Sequence, residues 1–239
     1  MPLSEEDIER ILVVTAHPDD VDFGVAGSVA VWTDKGIEVS YCIVTDGDAG
    51  GFDPDVPRSD IAGIRRAEQT AAAEQVGVTD LMFLGHPDGR LYPTIELRRD
   101  ISRAIRRVRP QRVVSQSPER NLTRMYASHP DHLAAGEATL CAVYPDARNP
   151  FAHPELLQEG YEAWTVPQVW MMSSTSGDAF TDITSAIDRK VKALLCHVSQ
   201  MTNPDAMDQL IRGWGAANAV AGGLPEGHYA ESFQAIATA

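Results

Sequence analysis

Apolar residues arrive along this chain in short bursts that alternate in character. Residues 11–16 (ILVVTA) are an apolar run between polar neighbours, the pattern of a buried strand. Residues 24–35 are small and apolar and end at Gly36, which predicts a helix and its stop. The β-branched stretch 37–45 (IEVSYCIVT) predicts a second strand. A helix over 59–76, closed by Gly77, and a third strand at 81–84 follow. Residues 94–108 predict a helix whose last turn carries arginines, where they meet the negative end of its dipole. Residues 112–115 predict a fourth strand, and a helix then opens at His129 or Asp131 and runs to Val143. A fifth strand is expected at 166–172 and closing helices at 183–197 and 205–220. Residues 149–166 form the longest connection without a clear pattern.

Strands alternating with helices predict the α/β class: a Rossmann-like three-layer αβα arrangement with a mostly parallel sheet. At 239 residues, one domain over 1–239 with a sizeable core is expected. In such sheets the working loops lie outside the carboxyl ends of the strands.

Composition narrows the partners. Twenty Lys and Arg against 34 Asp and Glu give a net charge of −14. That balance argues against nucleic acid and anionic membranes and points to a small-molecule or neutral-sugar partner. No run approaches about 18 apolar residues, so no membrane span is expected. The start lacks a basic segment and a cleavage pattern, so a cytoplasmic protein is expected. Cys42, Cys141 and Cys196 form no CxxC pair and are expected to be reduced, buried thiols.

The chemistry is concentrated in a tripeptide. His-Pro-Asp occurs at 17–19, 86–88 and 129–131, each at or after the end of a predicted strand. The first copy continues to Asp20, so His17 and Asp20 stand three positions apart and share a face of a turn. The third continues to His132, which completes a His17, Asp20, His132 ligand set of the kind that holds Zn²⁺. Fe²⁺ is also compatible with these nitrogen and oxygen donors. Three protein ligands leave a fourth position for water, the mark of a catalytic site. Pro130 is expected at the opening of its helix, where its missing N–H costs nothing. The second copy ends in Gly89 and reads as a substrate loop presenting His86.

An amide hydrolysis follows from these parts. Asp19, between the ligands, is expected to take the proton of the attacking water. Protonated His129 is expected to help hold the oxyanion, with Asp131 orienting its ring. Either Asp19 or His129 delivers a proton to the leaving amine.

At these residues the chain resembles the PIG-L/LmbE-like zinc deacetylases, over nearly its whole length. Ala16 to Asp20 matches the family's Ala-His-Pro-Asp-Asp segment, and His129 to His132 its His-Pro-Asp-His segment. Thr45-Asp46-Gly47, Arg65 to Glu68, Leu84 to Gly89, His197 to Gln200 and Tyr229 to Phe233 match further family patterns. The resemblance implies zinc on His17, Asp20 and His132, Asp19 as base, and His129 as the second catalytic group. It implies an N-acetylglucosamine derivative as substrate, contacts from Arg65 (with Arg66 as rival) and Asp88 to substrate hydroxyls, and a homo-oligomer. One departure stands out. Some relatives carry a tyrosine two positions before the second signature; here that position is Ala127, and Tyr126 lies one residue earlier.

Three other readings are open. A larger N-acyl or thiol-conjugate substrate suits the same site, and so does a non-catalytic sugar- or metal-binding protein. A nucleotide-binding Rossmann protein requires G-x-G-x-x-G after the first strand, where this chain has HPDDVDFG.

Overall fold

A computed structural model describes residues 5–122 and 124–238. Five parallel strands form the body of the sheet: β1 (Arg10–Thr15), β2 (Glu38–Thr45), β3 (Asp80–His86), β4 (Arg112–Gln116) and β5 (Gln168–Met172). Two more, β6 (Ala179–Asp182) and β7 (Ala230–Ala237), complete the order β3-β2-β1-β4-β5-β7-β6. β7 runs antiparallel to both β5 and β6.

The mostly parallel αβα arrangement is therefore as expected, and the last two strands are additions to it. β7 reads AESFQAIA, rich in residues of low strand propensity. Its pairing with β5, not its own pattern, makes it a strand.

The helices are α1 (Asp20–Gly24), α2 (Ala26–Asp34), α3 (Arg58–Gln75), α4 (Ile95–Val108), α5 (Pro130–Cys141), α6 (Pro154–Gln158), α7 (Ile187–Leu195) and α8 (Pro204–Ala221). The helix expected over 24–35 begins instead at Asp20 and breaks at Val25. That break lets the turn after β1 be helical from its second aspartate onward. None of the described helices is long and apolar enough to cross a membrane.

β1 shows why the sheet is covered on both sides. Ile11 and Val13 pack with Val29, Trp32 and Ala72 of α2 and α3. Leu12 and Val14, on the opposite face, pack with Leu97, Ile101 and Ala135 of α4 and α5. A smaller core of Ile183, Ile187, Leu194 and Ile211 ties α7 to α8. Of the three free cysteines only Cys42 is buried; Cys141 and Cys196 are partly exposed.

From β1 the chain builds outward through β2 and β3, then returns to place β4 on the other side of β1. The order reverses between β1 and β4, and a crevice opens beyond their carboxyl ends. Residues 16–20 leave β1 there, and the loop to α5 leaves β4. Two contacts lock these ends together. The Ala16 N–H donates to Oε1 of Gln116 at 2.9 Å. Gly136 lets α5 lie directly on β4: a Cβ there would collide with the Gln116 carbonyl oxygen.

Candidate active site

The turn after β1 is made by one strained residue. Asp19 has φ 91°, a left-handed conformation that a non-glycine residue adopts at a cost of roughly 1–3 kcal/mol. It sends the chain into α1 at Asp20, whose Oδ2 accepts from the His17 N–H at 2.7 Å. From the other side, His129 caps α5 and Pro130 fills its first turn, as expected, which brings His132 round to the same point.

Three donors meet there. His17 Nδ1 lies 3.2 Å from His132 Nε2. His132 Nε2 lies 3.0 Å from Asp20 Oδ1, and His17 Nδ1 lies 3.3 Å from Asp20 Oδ2. Four ligands set tetrahedrally at about 2.0 Å from Zn²⁺ stand about 3.3 Å apart, and these three spacings, with Asp20 turning a different oxygen to each ring, are close to that.

The far nitrogen of each ring is engaged elsewhere. His17 Nε2 lies 3.0 Å from Asp88 Oδ1 and 3.4 Å from Asp131 Oδ2. His132 Nδ1 faces the Ala127 carbonyl at 3.4 Å. Such outer partners fix the tautomer and turn the remaining lone pair toward a metal.

The charges say the same. Burial opposes protonation of His17, yet Asp20, Asp131 and Asp88 push its pKa up to about 12. Burial likewise opposes ionisation of Asp20, yet His132 and His17 hold it well below the usual carboxylate range. The cluster is built around positive charge. Two further donor sets share His17: His17, His129, His132 and His17, Asp88, Asp131, each within 4.8 Å. The residues present are thus a His/Asp cluster that fits a divalent cation.

Asp19 stands beside this cluster, held from two directions. Its Oδ2 lies 2.9 Å from Arg65 Nη2. Its N–H donates to Gln69 Oε1 at 2.8 Å. Gln69 Nε2 in turn donates to Asp22 Oδ2 at 2.9 Å, and the buried His197 Nε2 meets the same oxygen at 2.8 Å. Burial raises the Asp19 pKa to about 6; Arg65 opposes the rise and Asp20 adds to it. A carboxyl poised there is ionised at neutral pH yet basic enough to accept a proton.

The remaining expected site residues have partners inside the protein. Arg65, expected at a substrate hydroxyl, lines the cleft. It is buried, 3% exposed, and donates to the carbonyls of Pro18 and Gly47 besides pairing with Asp19. Its neighbour Arg66 pairs with Asp46.

His86 does not line the crevice; its Nε2 lies 3.4 Å from Asp100 Oδ2 of α4. Position four of the second tripeptide is Gly89, and the loop turns so that Asp88, not His86, reaches the site. Asp88 accepts from Ala49 N–H at 3.3 Å and touches His17.

The Asp131 carboxylate does not orient His129. It accepts from the Gly89 and Leu91 N–H groups at 2.7 and 3.1 Å and faces His17. His129 instead accepts the backbone N–H of Asp131 at Nδ1, 3.2 Å away. That bond puts the ring proton on Nε2. Burial, with the positive charges of His17 and His132, holds the His129 pKa below its usual value. His153 lies 3.4 Å from Asp146 and is largely covered.

Beyond the cluster the crevice widens to a cleft of about 1210 Å³. Tyr126, Leu210 and Trp214 give it an apolar side. Tyr126 stacks on Trp214, with ring centroids 6.3 Å apart and planes 7° from parallel. Its hydroxyl accepts from Arg124 Nε at 3.0 Å.

Gln69, Asp22, Gln116 and Arg124 escaped the sequence reading. Polar residues inside a helix or at a strand end carry no local mark of what they touch.

Known proteins share this arrangement. The profile of the GlcNAc-PI de-N-acetylase (PIG-L) family matches residues 12–143, which hold every member of the metal cluster. A diacetylchitobiose deacetylase of Thermococcus kodakarensis is 30% identical over 231 residues, covering 96% of this chain and 84% of that protein. A probable N-acetyl-alpha-D-glucosaminyl L-malate deacetylase 2 of Bacillus cereus is 32% identical over 198 residues, covering 80% and 83%. The structure of N,N'-diacetylchitobiose deacetylase from Pyrococcus horikoshii, complexed with its inhibitor MPG, superposes with a TM-score of 0.88. Its identity is 26%, with 97% of this chain and 85% of that one covered. With the profile spanning more than half of the sequence and the fold shared along nearly all of it, this chain belongs to the PIG-L/LmbE-like deacetylase family.

Proposed function

We propose that this protein is a zinc-dependent hydrolase that removes an N-acetyl group from an amino sugar. The observation that carries the reading is the convergence of His17, Asp20 and His132 at ligand-like spacings with the Asp19 carboxyl alongside. The relatives named above are deacetylases of N-acetylated sugars, which supports the same substrate class here.

His17, Asp20 and His132 would hold Zn²⁺, which would supply Lewis acidity toward the amide carbonyl and acidify a water. Asp19 takes the proton of the attacking water, held in place by Arg65 and Gln69. His129 donates from Nε2 to the carbonyl oxygen as negative charge builds there. Its position at the opening of α5 adds the positive end of the helix dipole. Asp19 then passes its proton to the departing nitrogen. Water adds across the C–N bond, leaving acetate and the free amine.

The test is release of acetate from N-acetylglucosamine derivatives by protein whose metal content is measured. Activity lost to chelation and restored by one equivalent of zinc supports the reading. Zinc-loaded protein inert on every N-acetylated sugar in the panel overturns it.

A further inference from the structure

The cleft is lined by three permanent cations, Arg65, Lys190 and Arg124, and two of them are already answered. Arg65 pairs with Asp19 at 2.9 Å, and buried Lys190 with Glu231 at 2.5 Å. Arg124 has no carboxylate partner among the described residues, in a chain with 34 acidic side chains against 20 basic ones.

Arg124 is nevertheless held. Its guanidinium lies over both rings of the Tyr126–Trp214 stack, 5.3 Å and 5.4 Å from their centroids. Its Nε donates to the Tyr126 hydroxyl at 3.0 Å. Among the described residues one of its five N–H groups is used, and the two terminal nitrogens keep theirs. Exposed at the wall of the cleft and resting on two aromatic rings, this planar fork matches a carboxylate or phosphate two oxygens at a time.

Tyr126 and Trp214 stack on each other and both meet the guanidinium, so neither ring is a bare platform for a neutral sugar. The volume is also larger than one hexosamine needs; about 1210 Å³ exceeds the usual upper range of small-molecule sites, about 1,000 Å³.

We infer that Arg124, seated on Tyr126 and Trp214, is a subsite for an anionic group on the aglycone of the amino sugar. This rests on the deacetylase reading for its sugar but not for its charge. The substrate class is then an N-acylated hexosamine conjugated to an acid, with the acyl end at the metal cluster and the acidic end at Arg124.

The experiment is calorimetric binding to the zinc-loaded protein, without turnover, of four amines. Methyl glucosaminide and chitobiose carry no acidic group; glucosaminyl L-malate carries carboxylates, and glucosamine 1-phosphate carries a phosphate. The wild type should bind at least one acidic compound tenfold or more tightly than methyl glucosaminide. Arg124→Gln should cut that ratio about tenfold, and Arg124→Lys, which keeps charge but not the fork, should restore only part. The arm that responds identifies the anion as carboxylate or phosphate.

No acidic preference in the wild type, or a ratio untouched by Arg124→Gln, overturns the proposal. So does an equal loss for chitobiose, which would make Arg124 a general sugar contact. If the ratio behaves as expected but no acyl derivative is hydrolysed, the subsite stands and the deacetylase reading falls.

Discussion

Arg65 Nη2 lies 2.9 Å from Asp19 Oδ2, and this buried pair sets the protonation of the proposed base. Burial raises the Asp19 pKa, Arg65 pulls it back down, and Asp20 adds to the rise. The balance near 6 places the acidic limb of a rate profile: kcat/KM falls as pH drops through the Asp19 value. Removing Arg65 takes away the lowering influence. Arg65→Gln should shift that limb to higher pH, which a pH profile of kcat/KM will show.

Asp19 itself holds no place in the ligand triangle. Asp19→Ala should cut kcat by roughly 10²–10⁴, the usual contribution of a general base, with zinc still bound. Metal analysis beside steady-state kinetics separates this from simple loss of the ion. An Asp19→Ala protein that keeps full activity removes the base from the mechanism.

Two helix glycines should respond in opposite directions. A Cβ at Gly136 meets the backbone of Gln116, which has no rotamer to give, so Gly136→Ala should destabilise by about 1–3 kcal/mol. Gly213, within α8, has nothing within 4 Å of its Cβ position, and Gly213→Ala should stabilise by about 0.5–1 kcal/mol. Denaturant midpoints measured side by side test both.

The buried His197–Asp22 pair predicts a pH-dependent stability. Burial disfavours the His197 cation, but Asp22 and then Asp19 outweigh it and raise the pKa. A raised folded value means the stabilisation is fully present below the unfolded value, about 6.5, and fades as pH rises through the folded one. His197→Asn should therefore lower Tm most at acidic pH, with the gap from wild type closing as pH increases.

How much of this the sequence announces depends on the range of the interaction. β1 to β5 were legible because a strand buried on both faces reads as an apolar burst wherever it sits. The convergence of His17, Asp20 and His132 was legible because each tetrapeptide ends a strand of the same sheet. Orientation within the site was not. Asp131 looks adjacent to His129 along the chain, but as N-terminal residues of α5 their side chains diverge, and the Asp131 carboxylate turns to the Gly89 and Leu91 amides. His86 shares its tripeptide with the two working copies, yet the turn beyond β3 offers Asp88 in its place. The Gln69–Asp22–His197 chain spans residues that only tertiary packing brings together.

Anomalous diffraction at the zinc edge, from crystals of the zinc-loaded protein, tests the central claim most directly. One peak is expected within about 2.0–2.2 Å of His17 Nδ1, His132 Nε2 and an oxygen of Asp20. A peak instead at His17 Nε2 between Asp88 and Asp131, or none near His17, would contradict it.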